Sequence, residues 1–294
     1  MFTKKMELFL KVKSPLHVGT GDSLSVIDLP IQREKHTDFP KIDASSFKGA
    51  IRSSFEKKGI DKKDIDFIFG PENVDNDSAR IGAISFTDSK ILLFPVKSIK
   101  GIFSLITCPY VIKRFLDDIE QFNGRDIFLP INNVNIKDGE FASCEQNENI
   151  INDKIVLDEY TFSKIDNSEE LNKVIEFIAT KVNESSKKIV ILSNNDFLYF
   201  VKMATEVITR IKINNETGIV EEHALFNEEF LPVESVLYSQ LFVTNLSDFE
   251  TTTFYEKSGK SEDSVFNFIK ENLNGFIQIG GDSTIGKGIV KVIL

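Results

Sequence analysis

Cysteine is almost missing from this chain: Cys108 and Cys144 are the only two in 294 residues. Two are too few for a disulfide framework or a cysteine-rich zinc site, and a reducing, cytoplasmic setting is the expectation. Tryptophan is absent, and 26 phenylalanines with five tyrosines make up the aromatic set, which reads first as core material. No apolar run approaches the ~20 residues of a membrane-spanning helix. The opening "MFTKKMELFLKVK" lacks the small-residue cleavage site of a signal peptide, and its "MELFLKV" alternates like a first strand. Positive charge is also short, with 35 Lys and Arg against 45 Asp and Glu and a net charge of −10. Phosphate contacts need cations, so the charge argues against a generic nucleic-acid binder. The shortage is uneven, however. From Arg33 to Lys58 there are seven Lys and Arg against four acids, plus His36, which reads either as a solvated surface of mixed charge, the reading composition alone favours, or as one local basic face.

What is present is an alternation of strands and helices. After the first strand comes "SPLHVGTGDSLSVIDLPIQREKHTDFPKI", too long and too polar for an ordinary connection and so a candidate functional loop. "DASSFKGAIRSSFEKKG" predicts a helix over 43–59, capped by Asp43, with Phe47, Ile51 and Phe55 on one face and Gly59 at its end. "ARIGAISFTDSKILLFPV" reads as a hairpin turning at Thr87–Lys90. A helix is expected from Pro109, "KIVLDEYTF" as a strand, and helices over 168–186 and after Asn194. "VITRIKI" and "IVEEHALF" flank the turn-rich "NNETG" as a hairpin. "SVLYSQLFV" and "FIQIGG" read as strands around a helix at 261–273. Strand, helix, hairpin and much later strand, helix, strand is an α+β, ferredoxin-like βαββαβ plan with large insertions. Such a sheet hosts many functions.

The glycine-rich "GGDSTIGKG" at 280–288 has the Walker A spacing through Gly281, Gly286 and Lys287. That motif next requires Ser or Thr, and this chain has Gly288. A phosphate-binding loop must also open a helix, and the remaining "IVKVIL" reads as a strand. ATP binding is therefore excluded, leaving a permissive backbone and one cation near a phosphate.

Together, "DLPIQREKHT", "SSFKGAIR", "ALFNEEFLPVESVLYS" and "GGDSTIGKG", in this order, resemble the RAMP superfamily of CRISPR proteins. More narrowly, they resemble the backbone subunits of type III-B Cmr effector complexes. The resemblance implies one RAMP domain over 1–294. It divides into a palm over about 1–100 and 234–294, an insertion over about 101–206 and a thumb hairpin over about 207–233. It implies a subunit stacked head to tail with further copies along a guide crRNA, among other Cmr subunits and off the membrane. Complementary target RNA is then cut at regular intervals.

Asp28 in "VIDLP" occupies the position of that family's catalytic aspartate. A carboxylate there can accept the proton of an attacking 2′-hydroxyl or hold a divalent cation, Mg²⁺ by expectation. Asp22 is its local rival, and Glu228, beside Glu229, is a candidate assistant. The resemblance implies RNA contacts by His17, Arg33 and Lys35, by Ser45, Ser46, Lys48 and Arg52 at the start of a helix, and by Gly280, Gly281, Gly286 and Lys287. In the thumb, Arg210, Phe226 and Phe230 would meet the RNA, the phenylalanines pressing on bases. His36 and His223 have no companions at metal-ligand spacing, and no zinc site is expected. Two rivals stay open: a non-catalytic RNA-binding filament subunit, and a ribonuclease that processes guide precursors.

Overall fold

The computed structural model describes residues 2–22, 26–72, 81–123, 135–166, 169–214, 216, 218–246 and 261–294. The first part of the chain forms β1 (Phe2–Val12), β2 (Lys41–Ile42), α1 (Ala44–Lys57), α2 (Lys62–Phe69), β3 (Ile84–Phe86), β4 (Ser89–Lys97), β5 (Phe103–Thr107) and α3 (Pro109–Asn123). The middle holds β6 (Glu140–Ser143), β7 (Lys154–Leu157), β8 (Tyr160–Lys164), α4 (Glu169–Val182), β9 (Ile189–Leu192) and α5 (Asn194–Met203). There follow β10 (Glu206–Ile213), β11 (Val220–Phe230), β12 (Val236–Thr244), α6 (Glu262–Leu273), β13 (Gly275–Gln278) and β14 (Ile289–Ile293). None of the described helices is long and apolar enough to cross a membrane.

One large sheet runs β13-β14-β1-β12-β4-β5-β9-β6-β8-β7, while β10 and β11 form a separate two-stranded ribbon. Within it, β14-β1-β12-β4 are mutually antiparallel. That is the fourth-first-third-second order of the expected βαββαβ plan. β1 is central and feeds both faces. Leu8 and Leu10 point to the side of α1 and α6, where Phe55 of α1 meets Phe268 of α6. Phe9 points the other way, against Phe115 of α3, and Lys181 of α4 reaches Glu7. The strands are therefore sandwiched between two helical layers. α1 forms because Phe47, Ile51 and Phe55 recur every fourth residue and all three are fully buried.

Several sequence expectations are corrected. Residues 79–96 do not form a hairpin: β3 and β4 both pair antiparallel with β12, as one strand interrupted at Thr87 and Asp88. Thr87 Oγ1 accepts from the Gln240 amide, and Asp88 turns outward to accept from the Ala44 amide at 2.9 Å. The α1 cap is thus Asp88, supplied from across the sheet, while Asp43 makes no side-chain capping bond. "KIVLDEYTF" is two strands, not one, because Asp158 adopts φ 54° and folds β7 onto β8. The short helix α2, capped by Asp61, was not foreseen.

Candidate nucleic-acid interface

The long polar loop after β1 returns across the base of the β10–β11 ribbon. Leu29 pairs with β11 through two backbone bonds, its amide to the Asn227 carbonyl and its carbonyl from the Glu229 amide, both 3.0 Å. Its neighbour Asp28 is thereby fixed: Oδ2 accepts from the Asn227 amide at 2.7 Å, and the side chain remains half-exposed. Asp22 is exposed, earlier in the loop.

Glu228 and Glu229 are not a solvated pair. Both are buried, on opposite faces of β11. Glu229 accepts from the Ile31 amide at 3.0 Å, from Arg33 at 2.6 Å and from Thr205 at 2.8 Å. Arg33 also donates to the Asp38 and Val201 carbonyls, so it braces the loop. Glu228 meets Arg210 Nε at 2.7 Å and lies 3.6 Å from His17 Nε2. His17 Nδ1 donates to the Glu229 carbonyl at 2.7 Å, which aims Nε2 at Glu228. Burial, with the Asp282 carboxylate nearby, pushes the Glu228 carboxyl above the usual glutamate range, and His17 and Arg210 pull it back. Arg210 goes on to Asp282 in the glycine-rich loop at 2.5 Å.

Phe230, expected to press on bases, is completely buried. His17 packs on its ring at 5.6 Å, and Arg210 and Lys287 sit over it at 5.8 and 5.0 Å. The cause is its place at the foot of the ribbon, under the glycine-rich loop. It supports the cations and cannot stack on RNA. Phe226, opposite Arg210 on the ribbon, is half-buried. Residues 215 and 217 of the "NNETG" turn lie outside the described residues.

The glycines of "GGDSTIGKG" divide into two kinds. Gly280 has φ 77°, and a Cβ there would stand 2.0 Å from the His17 carbonyl oxygen. Gly288 is as tight against the Ile279 carbonyl, at 2.1 Å. Their close approach is to the chain's own backbone. Gly281 donates its amide to the His17 carbonyl at 2.9 Å, and Gly286 is open.

On α1, Ser45 is exposed and Ser46 half-buried. Lys48 turns toward the Ile84 carbonyl at 3.5 Å, with burial lowering its pKa. Arg52 is occupied by Asp66 at 2.7 Å, Glu56 at 3.0 Å and the Gly70 carbonyl, clamping α2 to α1. These two cations are held within the protein, whereas Lys35 is exposed and forms no ion pair among the described residues. Sequence reasoning missed Asn227, Asp282 and Phe276, and counted Lys57 and Lys58 only within the basic stretch from Arg33 to Lys58. The lysines and phenylalanine matter because, with Ser46 and Gly280, they line a groove of about 640 Å³ between α1 and β13. Small residues at 46, 50 and 53 on one side of α1 were the available signal. Among the described residues no three His, Cys, Asp or Glu side chains converge to hold a metal ion.

Comparison with known proteins places this geometry. The RAMP superfamily profile matches residues 9–291. The "CRISPR system Cmr endoribonuclease Cmr4" of Pyrococcus furiosus is 36% identical, across 96% of this chain and 92% of that protein. The Cmr4 subunit of Saccharolobus solfataricus is 25% identical, across 99% and 96%. Oligomeric Cmr4 from Pyrococcus furiosus superposes with a TM-score of 0.73 at 28% identity, covering 99% and 97% of the two chains. A chain of the type III-B Cmr-beta complex bound to cognate target RNA reaches 0.77 at 22% identity over 99% and 97%, a likeness of fold. With the profile spanning nearly the whole sequence and a relative this similar along it, the chain belongs to the RAMP superfamily.

Proposed function

We propose that this chain is an RNA-cleaving backbone subunit of a type III-B Cmr complex, stacking with further copies along a guide crRNA and cutting the paired target. The observation that carries the reading is the placement of Asp28. Its carboxylate is pinned through one oxygen by the amide of Asn227, the residue before Glu228, which Arg210 and His17 flank. In such a reaction the target's 2′-hydroxyl attacks the adjacent phosphorus, the 5′-oxygen leaves, and the protein supplies alignment and charge management. The second Asp28 oxygen is available to accept the hydroxyl proton. Alternatively the same oxygen would hold a divalent cation, Mg²⁺ by expectation, together with RNA oxygens and water, and the cation would supply charge stabilisation at the phosphate. The β10–β11 ribbon is read as the thumb, with Phe226 as its RNA-facing aromatic in place of Phe230.

The test is Asp28→Ala and Asp28→Asn in the assembled, guide-loaded complex with labelled target. Cleavage should be lost in both, with assembly and target binding kept, because a half-exposed carboxylate contributes little to the core. Cutting at the wild-type rate would return the chain to a structural, non-catalytic reading.

A further inference from the structure

On the reading of this chain as an RNA-cleaving subunit, we infer that Asp282 is a positioning residue for cleavage, acting from the glycine-rich loop through Arg210 on Glu228. Two consecutive loop residues close a ring of contacts around that cluster. The Gly281 amide donates to the His17 carbonyl at 2.9 Å, and His17 Nε2 lies 3.6 Å from Glu228 Oε1. Glu228 Oε2 meets Arg210 Nε at 2.7 Å. Arg210 then returns to Asp282, the residue after Gly281, with Nη2 at 2.5 Å and Nη1 at 3.3 Å. The buried ring of Phe230 supports both His17 and Arg210. A shift of the loop therefore reaches Glu228 from two sides.

A guanidinium is a rigid planar fork, and its strongest grip on a carboxylate uses two parallel N–H groups at once. Here Asp282 takes both terminal nitrogens, so Glu228 meets only Nε, through one oxygen. Without the Asp282 carboxylate the fork is free to turn, clasp both oxygens of Glu228 and draw it from His17. The backbone at Asp282 points the same way. Its φ of 61° and ψ of 25° are left-handed, a conformation that glycine adopts readily and that aspartate and asparagine tolerate. The loop has glycine at 280, 281, 286 and 288, yet it carries a carboxylate here, and that carboxylate holds Arg210. Burial first and the Asp282 charge second raise the Glu228 carboxyl, against His17 and Arg210.

Target cleavage is followed in single turnover at saturating target, in the assembled, guide-loaded complex whose guide content is measured first. Asp282→Asn removes the charge and keeps a residue suited to the left-handed backbone. It should slow cleavage by roughly ten- to a hundredfold, with target Kd unchanged and the acidic limb of the pH profile moved to lower pH. Arg210→Gln should move that limb the opposite way. At pH values above the limb, adding Asp282→Asn to Arg210→Gln should change the rate by less than about twofold, since the group that Asp282 positions is already absent. Asp282→Glu, which keeps the charge, should recover most of the rate. The inference is overturned if the losses multiply in the double variant, if the Asn and Glu variants lose rate equally, or if Asp282→Asn fails to assemble, each of which makes Asp282 a loop brace. A target Kd that weakens in step with the rate also overturns it, by making Asp282 part of an RNA contact. In all of these cases the reading of the chain as a nuclease stands. Wild-type cutting by an Asp28→Ala complex sinks that reading, and the role of Asp282 with it.

Discussion

Arg210 joins three parts of the site through one guanidinium: Glu228 on β11, Asp282 in the glycine-rich loop and the ring of Phe230. Because it lowers the carboxyl that burial and Asp282 raise, Arg210→Gln should move Glu228 further up. The acidic limb of the cleavage pH profile should then shift to higher pH, with RNA affinity changed little. A uniform loss of rate with the limb unmoved would make Arg210 a mere brace. Glu234 shows the opposite balance. Burial alone would raise it, but hydrogen bonds from Lys11 and Lys13 outweigh that and hold its carboxyl below the glutamate range. Lys11 is itself pushed down by burial that its acidic partners do not fully offset. A depressed carboxylate stabilises the fold above its unfolded pKa, about 4.3, and the contribution disappears as pH falls through the lower folded value. Glu234→Gln should therefore cost about 1–2 kcal/mol at pH 7. The gap from wild type in denaturant melts should close below about pH 4; a gap independent of pH would assign the loss to packing.

Among the elements, the glycine-rich loop is held by its fit against the Pro15–His17 segment that follows β1. Gly280→Ala places a Cβ on the His17 carbonyl and forces a left-handed alanine. It should destabilise the fold by ~3 kcal/mol or more and displace His17. Gly286→Ala meets only the conformational penalty of φ 78° in open space, about 1–2 kcal/mol. Thermal melts of the two variants compare them directly, and equal losses would show that the loop is not anchored on His17. The elements misread from sequence share a cause. A strand that jogs at Thr87–Asp88 while keeping its partner has the same local pattern as a hairpin. The partner, β12, lies about 150 residues away, beyond any local window.

For the whole molecule, a net charge of −10 is compatible with the proposed RNA partner through segregation. Acids on α1 and α2 occupy Arg52, while the groove opposite stays free of them. The absence of any metal-binding cluster among the described residues sets a further expectation for the assembled complex. Chelating divalent cations should stop target cleavage without dissociating the RNA, since Asp28 alone cannot retain a cation once RNA oxygens must compete with chelator. Undiminished cutting in EDTA would leave Asp28 acting as the base alone.

Family membership was legible in the sequence: "DLPIQREKHT", "SSFKGAIR" and "GGDSTIGKG" pointed to the superfamily whose profile spans the chain. The βαββαβ order was legible too, because strand and helix periods are local properties of β1, α1, β12 and α6. Burial and pairing at the site were not, since they depend on which distant segments meet. Nothing local distinguishes Glu228 from Glu229, or marks Phe230 as covered and Phe276 as bare. The return of the 14–40 loop across β11 decides the first, and the glycine-rich loop closing on His17 buries Phe230. Phe276 stays uncovered because β13 is the outermost strand of the sheet.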